Sequence, residues 1–252
     1  MDADERIQHI LDLLAAKDEL SNAELAGRLG VSEMTIRRDL SQLEGEGLLR
    51  RVHGGATRVV GSSIEPPFAM RARQHLDAKR AIGAAIAGHV RDGQTIVLDG
   101  GTTGTAIAEA LVGRKLTVCV LNLRVADILN RSPAARVMSP GGFIRHGEQS
   151  LSGPVTEHVL REHRFDLYIM TVSGISAEDG MTEWNVADAA AKRAALSSSA
   201  RCIVACDSSK FGQTAFVRIA PLSAASLIVT DEALPADHLQ ALTACGAAVQ
   251  IA

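Results

Sequence analysis

Val31-Ser-Glu-Met-Thr-Ile-Arg-Arg-Asp-Leu40 decides how this chain is read. The stretch follows Gly30, and Ser32 is placed to cap a new helix by accepting from a backbone N–H one turn in. Glu33 in the first turn suits the positive end of that helix. At about 100° per residue, Ile36, Leu40 and Leu43 fall on one narrow apolar stripe. Met34, Arg37, Arg38, Ser41 and Gln42 point the other way. The outer face so read carries two adjacent guanidiniums, small polar groups and no carboxylate. Arginine forks match phosphate oxygens and guanine edges, and serine and glutamine can read bases.

The preceding residues supply a partner helix. Ser21-Asn-Ala-Glu24 is a capping box that opens a short helix through Leu29, which Gly30 ends. Asp4 to Ala16 forms an earlier helix with Ile7, Ile10, Leu11 and Leu14 on one face. Two helices joined by a tight glycine turn, the second with a basic outer face, make a helix-turn-helix. Leu48 to Val52 and Ala56 to Val60 read as strands around a His53-Gly-Gly55 turn, a wing bearing Arg50, Arg51, His53 and Arg58. An ordinary solvated helix pair would show the same periodicity. The Arg-Arg face followed by a basic hairpin favours DNA.

Bulk numbers bound the rest. A chain of 252 residues allows one large domain or a small one plus a medium one, and 46% hydrophobic content is ample for a core. No apolar run approaches membrane-spanning length and the start is acidic, so the expected compartment is the cytoplasm, with no membrane partner. Cys119, Cys202, Cys206 and Cys245 lack metal-ligand spacing and read as free buried thiols. A net charge of −3 argues against a nucleic-acid binder. It is overruled by placement, because Arg37, Arg38, Arg50, Arg51 and Arg58 cluster while the acids lie upstream.

Gly61-Ser-Ser-Ile-Glu-Pro-Pro67 punctuates the chain as a linker, and Phe68 to Leu76 reads as a connecting helix whose Arg71 and Arg73 face solvent. From Asp77 short continuous apolar strands alternate with helices, which implies an α/β domain with a largely parallel sheet covered on both faces. Residues 1–58 are thus one domain, 59–76 a linker and 77–252 a second domain. Asp99-Gly-Gly-Thr-Thr-Gly104 lies between a strand and a helix read to begin at Thr105. Its glycines let backbone N–H groups approach an anion, and Thr102 and Thr103 add hydroxyls. A tight turn that binds nothing has the same letters, and the motif is neither a Walker loop nor GxGxxG. Pro140-Gly-Gly-Phe-Ile-Arg145 and Asp207-Ser-Ser-Lys210 follow other strands, and all three loops would converge on one crevice.

The first motif, with Leu43-Glu44, Gly47, Arg51 and His53-Gly-Gly-Ala56, resembles the amino-terminal signature of the DeoR family of bacterial transcription regulators. Phe165-Asp-Leu, Gly174-Ile, Lys192-Arg and Asp207-Ser-Ser-Lys-Phe-Gly212 resemble that family's sensor domain, similar in fold to ribose-5-phosphate isomerase. Lys79-Arg-Ala-Ile-Gly83 and Gly93-Gln-Thr-Ile-Val97 continue the isomerase likeness. The resemblance implies a phosphate held by Gly101, Thr102, Thr103, Gly104 and Lys210. The isomerases' carboxylate-rich segment is replaced by Thr171-Val-Ser-Gly-Ile175, and their glutamate before a lysine by Ala191. Without that base a proton shuttle between carbons is lost. Asp188 stands where the family has Glu, and Leu121 before Asn122 where it has Thr, which leaves the sugar's identity open.

The resulting expectation is a regulator, most simply a repressor of carbohydrate metabolism genes, that binds operator DNA as a homodimer or higher oligomer. Its DNA-facing residues are Ser32, Met34, Thr35, Arg37, Arg38, Ser41, Gln42, Arg50, Arg51, His53 and Arg58. Its phosphorylated sugar effector is met by Asp99, Gly100, Gly101, Thr102, Thr103, Gly104, Asn122, Arg145, Asp188, Lys192 and Lys210. No metal, cofactor or catalytic residue is expected. The rivals are a sugar-phosphate isomerase fused to a DNA-binding domain, and an activator or architectural protein without a ligand.

Overall fold

A computed structural model of the chain describes residues 3–17, 19–45, 48–58 and 65–252. Gly47 of the family signature, the end of the second wing strand and most of the Gly–Ser part of the linker lie outside the described residues. The chain divides into two compact units, Met1–Met70 and Arg71–Ala252.

In the first unit, α1 (Ala3–Ala16) precedes β1 (Glu19–Ser21), α2 (Asn22–Leu29), α3 (Glu33–Gly45), β2 (Leu49–Val52) and β3 (Gly55–Arg58). The capping box is present: Glu24 N–H donates to Ser21 Oγ at 3.1 Å and Ser21 N–H to the Glu24 carboxylate at 2.9 Å. Gly30 closes α2 in the left-handed conformation. Ser32 Oγ accepts from Thr35 N–H at 3.2 Å, opening α3 as the sequence implies. Ile36, Leu40 and Leu43 are fully buried with Ile10, Leu14, Leu25 and Leu49. The wing is a three-stranded antiparallel sheet in the order β1-β3-β2, so the hairpin gains a strand from Glu19–Ser21 that the sequence reading left as a connection. A charge sits in this core: Arg6 Nε is 2.5 Å from Asp39 Oδ2, both side chains nearly excluded from solvent.

α4 (Phe68–Arg73) crosses the division between the units. The second unit runs α5 (Leu76–His89), β4 (Thr95–Leu98), α6 (Gly101–Leu111), β5 (Thr117–Val120), α7 (Leu123–Leu129) and β6 (Arg136–Met138). A hairpin of β7 (Phe143–Ile144) and β8 (Leu151–Ser152) then leads to α8 (Pro154–Arg161) and β9 (Leu167–Met170). There follow β10 (Gly174–Ser176), β11 (Gly180–Glu183), α9 (Val186–Ser197), β12 (Cys202–Ala205) and β13 (Val217–Ala220). The unit ends with β14 (Leu227–Thr230), α10 (Ala236–Ala244) and β15 (Val249–Ile251).

Seven strands form one parallel sheet in the order β15-β14-β12-β9-β4-β5-β6. Period-two alternation divides its side chains between two cores. Ile96, Leu98, Val118, Val120 and Ile169 pack under α5, α6 and α7 with Ile82, Ile107 and Val125. Val97, Cys119, Tyr168, Met170 and Val204 pack with Leu160, Ala189, Ile175 and Met181 on the other face. That face also carries the antiparallel sheet β10-β11-β13, whose short β10 and β11 the sequence reading missed. From β4 the chain winds outward through β5 and β6, then returns to β9 on β4's other side. This reversal is the switch point at which an open α/β sheet leaves a crevice beyond its strand ends. Among the described residues no helix is long and apolar enough to cross a membrane.

Removing one partner of the buried Arg6–Asp39 pair strands the other charge. Asp39→Ala is expected to cost about 3–5 kcal/mol, whereas Arg6→Met combined with Asp39→Leu is expected to be close to neutral. Urea unfolding of the full-length chain checks both, and equal losses for the single and double variants would contradict this account.

Candidate functional site

The first unit presents α3 as a polar blade. Met34 is 80% exposed, and Arg37, Arg38, Ser41 and Gln42 are exposed with it. Two details correct the simple picture of a free cationic face. Glu33 puts a carboxylate 3.7 Å from Arg37 Nη2, so the face is not carboxylate-free. Ser41 and Arg51 hold one another: Arg51 Nη1 donates to Ser41 Oγ at 3.0 Å, while Ser41 Oγ donates to the Arg37 carbonyl at 2.8 Å. With Arg51 N–H donating to Glu44 at 3.0 Å, these bonds fix the wing against α3. Ser32 and Thr35 share a hydroxyl contact of 2.9 Å at the start of α3. Arg50 and His53 are exposed on the wing. The side chain of Arg58 lies outside the described residues.

In the second unit, strand β4 ends at Leu98, one residue before Asp99, and α6 begins at Gly101, four residues earlier than the sequence reading placed it. The Gly–Thr stretch is therefore the first turn of a helix, not a loop before one, so its backbone N–H groups are the unsatisfied donors of a helix start. Gly101 has φ +73°, a conformation glycine adopts without strain. A Cβ on Gly104 would sit 2.5 Å from the Asp99 carbonyl, so the strand and helix meet there only because that position is bare. Thr102 and Thr103 are both buried. Asn122 caps α7, donates Nδ2–H to the Glu148 carbonyl at 2.8 Å, and abuts Gly100.

Behind this turn lies a buried charge network. Lys192 on α9 donates to Asp99 Oδ2 at 2.6 Å and to the Thr171 carbonyl at 2.8 Å, and lies 3.1 Å from Glu183 Oε2. Asp99 also accepts from Gly100 N–H, Thr171 N–H and the Tyr168 hydroxyl. Burial works against the Lys192 charge, but the carboxylates of Asp99 and Glu183 outweigh it and raise its pKa. Burial also opposes the Glu183 charge, yet Lys192, Ser173 and the Trp184 N–H hold its pKa low. Burial raises the pKa of Asp188, against the pull of Arg145 at 2.6 Å. Ser150 bridges that pair, donating to Asp188 at 2.9 Å and accepting from Arg145 Nε at 3.2 Å.

Arg71, whose Nη1 would lie 3.8 Å from a Cβ on Gly101 in the first turn of α6, belongs to a group of cations. Lys210 lies 5.4 Å from the ring centre of Trp184, and the Arg71 guanidinium lies 5.7 Å from the same ring. Arg71 is buried and pairs with Glu148 at 2.5 Å, which corrects its reading as a solvent-facing residue. Lys79 is buried too, and its ammonium donates to the carbonyls of Arg71 at 2.5 Å and Gln74 at 2.6 Å. Burial lowers the Lys79 pKa to about 8, helped by Lys210 and Arg71 and opposed by Asp207.

Asp99 and Lys192 thus share one network at the strand ends, Arg145 and Asp188 form a second pair, Asn122 abuts the Gly100 turn, and Lys210 reaches the ring of Trp184. Lys79, Arg71, Glu148, Glu183 and Trp184 were missed as site residues. Lys79 was visible only within the likeness to the isomerases. Trp184, the chain's single tryptophan, was a usable signal, since it sits just before the Asn185 cap of a helix. Cys119, Cys202 and Cys206 are buried thiols whose pKa values burial raises, but Cys245 is exposed, against expectation. Among the described residues no group of three His, Cys, Asp or Glu is placed to hold a metal ion.

Comparison with known proteins matches residues 6–60 to the DeoR-like helix-turn-helix domain and residues 74–232 to the DeoR C terminal sensor domain. The chain is 32% identical to the HTH-type transcriptional regulator GlpR of Haloferax volcanii, covering 97% of this chain and 96% of that one. It is 31% identical to the glycerol-3-phosphate regulon repressor of Escherichia coli, over 95% of each. It is 33% identical to the transcriptional repressor AccR of Agrobacterium fabrum, over 90% and 89%. Among solved structures, ribose 5-phosphate isomerase A of Methanocaldococcus jannaschii is similar over 55% of each chain at 12% identity and TM-score 0.42, too distant to bear on chemistry.

Lys192 is the cation that two buried carboxylates both contact, so Lys192→Met leaves the pair without it. A loss of about 3–5 kcal/mol is expected. Adding Glu183→Gln should recover part of it, because one of the two stranded charges is then gone. Denaturant titration of both variants measures this, and no recovery in the double variant would contradict the assignment.

Proposed function

The chain belongs to the DeoR family of DNA-binding transcription regulators, and we propose that it represses carbohydrate-metabolism genes under the control of a phosphorylated sugar or polyol. The observation that carries the effector reading is the first turn of α6, with its unsatisfied N–H groups, beside Arg71, Lys79 and Lys210. Helix-start donors and the dipole favour an anion, and three neighbouring cations suit a dianion. Thr102 and Thr103 lie in that turn, and Arg145 and Asp188 supply a donor and an acceptor for hydroxyls further along the crevice. One relative is named for glycerol 3-phosphate, which makes small phosphorylated polyols the first ligands to try.

In this reading α3 enters the major groove with Met34, Arg37, Arg38 and Gln42 at base edges. Arg50, His53 and Arg58 meet phosphates from the wing, with Arg51 and Ser41 bracing the two. The active species is a homodimer or higher oligomer, because helix-turn-helix proteins read paired half-sites. The effector site does no chemistry. An isomerase needs a base available to the substrate's carbon-bound proton. Here Glu183 is tied to Lys192 and Ser173, and Asp188 to Arg145 and Ser150.

Two experiments test the proposal. On operator DNA selected from a random pool by the wild-type protein, Arg37→Ala with Arg38→Ala should lose about 1–3 kcal/mol for each base-edge contact and flatten the salt dependence. A correctly folded double variant with wild-type affinity would refute the role of α3.

Calorimetry against glycerol 3-phosphate and pentose and hexose phosphates tests the effector. Lys210→Ala should abolish most of the affinity while leaving ligand-free operator binding intact. The wild-type affinity should be greatest from about pH 6, above which the phosphate is a dianion, to about pH 8. It should decline as Lys79 loses its proton above that. A pH-independent affinity, equal affinity in Lys210→Ala, or aldose–ketose turnover by the wild type would each count against the reading.

A further inference from the structure

We propose that Arg71 is the residue through which the effector's phosphate acts on the rest of the chain. The phosphate takes the Arg71 guanidinium from Glu148, and the exchange is passed along α4, which leads back towards the DNA-binding unit. This inference rests on the phosphate reading of the α6 turn given above.

Four observations carry it. The first is position: a Cβ on Gly101 would lie 3.8 Å from Arg71 Nη1, so the guanidinium stands over the first turn of α6. The second is chemistry. Arg71 and Glu148 form a 2.5 Å pair with both side chains nearly buried. A phosphate dianion offers the guanidinium fork twice the charge of that carboxylate and more acceptor oxygens, in a geometry the fork matches.

The third observation is crowding. Arg71 and Lys210 share the ring of Trp184, and Lys79 lies close enough that both cations weaken its hold on its proton. A dianion brought among the three relieves their mutual repulsion, which the single charge of Glu148 does less well.

The fourth is attachment. The Lys79 ammonium grips the carbonyl of Arg71 itself and that of Gln74, so side chain and backbone of the end of α4 are both tied to the cluster. Arg71 is also the residue at which the second unit begins. The Glu148 carbonyl in turn accepts from Asn122, which abuts Gly100. Of the two partners in the exchange, Arg71 is the one on α4, the helix that leads back along the chain into the first unit.

A purely structural Arg71–Glu148 clasp makes different predictions, and a double-mutant cycle separates the two. Trp184 is the only tryptophan, so its fluorescence reports the site directly in the full-length protein. The probes are inorganic phosphate and glycerol 3-phosphate. Arg71→Gln should weaken both at least tenfold and abolish probe-induced release of operator DNA. Glu148→Gln should tighten probe binding several-fold and lower operator affinity without probe, towards the probe-saturated wild-type value. That gain should vanish in the Arg71→Gln background, since a general electrostatic effect of Glu148 would persist there.

If Arg71→Gln fails to fold, Arg71→Lys, which keeps the charge and loses the fork, and Glu148→Gln carry the test. Wild-type behaviour in Arg71→Gln, alongside weakened binding in Lys210→Ala, would overturn the Arg71 role and leave the effector site standing. So would a Glu148→Gln variant unchanged in both probe and operator affinity. No response of the wild type to either probe would remove the effector reading and this inference together.

Discussion

The second unit depends on one buried ammonium. Lys192 reaches from α9 to the end of β4, where Asp99 receives it, and to the end of β11, where Glu183 does. Its third contact is the Thr171 carbonyl at the end of β9. Thr171 N–H donates to Asp99 in turn, so the ends of β4 and β9 are clasped together at the point where the sheet's winding reverses. An open α/β sheet leaves its strand ends apart at a switch point, and a crevice there keeps its shape only if something fixes the two walls. Here that is a charge with three oxygen partners. A buried ion network is a weak source of net stability, but breaking it is costly, which confines the crevice to one geometry.

The same network shapes what the crevice can hold. Asp99 is occupied by Lys192, Tyr168 and two backbone N–H groups. Its carboxylate is therefore fully hydrogen-bonded behind the turn that follows it, and the α6 N-terminus presents its donors without a competing bare carboxylate beneath. On the far side Asp207 is bonded to Ser209 and held ionised by Lys210. The carboxylates nearest the turn are thus paired, while the cations Arg71, Lys79 and Lys210 crowd one another. These cations gather in one place although the whole chain carries a net charge of −3. The first unit resolves the same conflict in another way, by burying Asp39 against Arg6 while Arg37 and Arg38 stay exposed.

What could be read from the letters follows the range of the interaction concerned. Periodicity and caps are local, so α2, α3 and the parallel strands were legible, including the Ser21 box and the Ile36–Leu40–Leu43 stripe. Pairing partners are not local. β1, β10 and β11 are short and owe their existence to distant strands, so no window of sequence announced them. The early start of α6 was hidden because Gly-Gly-Thr-Thr scores as a turn, whereas Gly101 at φ +73° leads directly into the helix. Arg71 looked like any helix-surface arginine. Only the fold brings Glu148, 77 positions later in the chain, against it.

That last pairing bears on how binding in such a site can do more than occupy it. A ligand shifts a conformational equilibrium only by the difference between its contacts in the two states. The Gly–Thr turn, Asn122 and Lys192 sit on rigid elements and would meet an anion in the same way in either state, so they supply affinity but little bias. Arg71 is different because it has a protein carboxylate to leave and a ligand oxygen to join. Its backbone carbonyl is already held by Lys79, a cation of the same cluster. Lys79 and Arg71 therefore form a link whose two ends answer to the same anion. In the proposed site, the part best able to convert occupancy into a signal is then the Arg71 contact, and not the helix start.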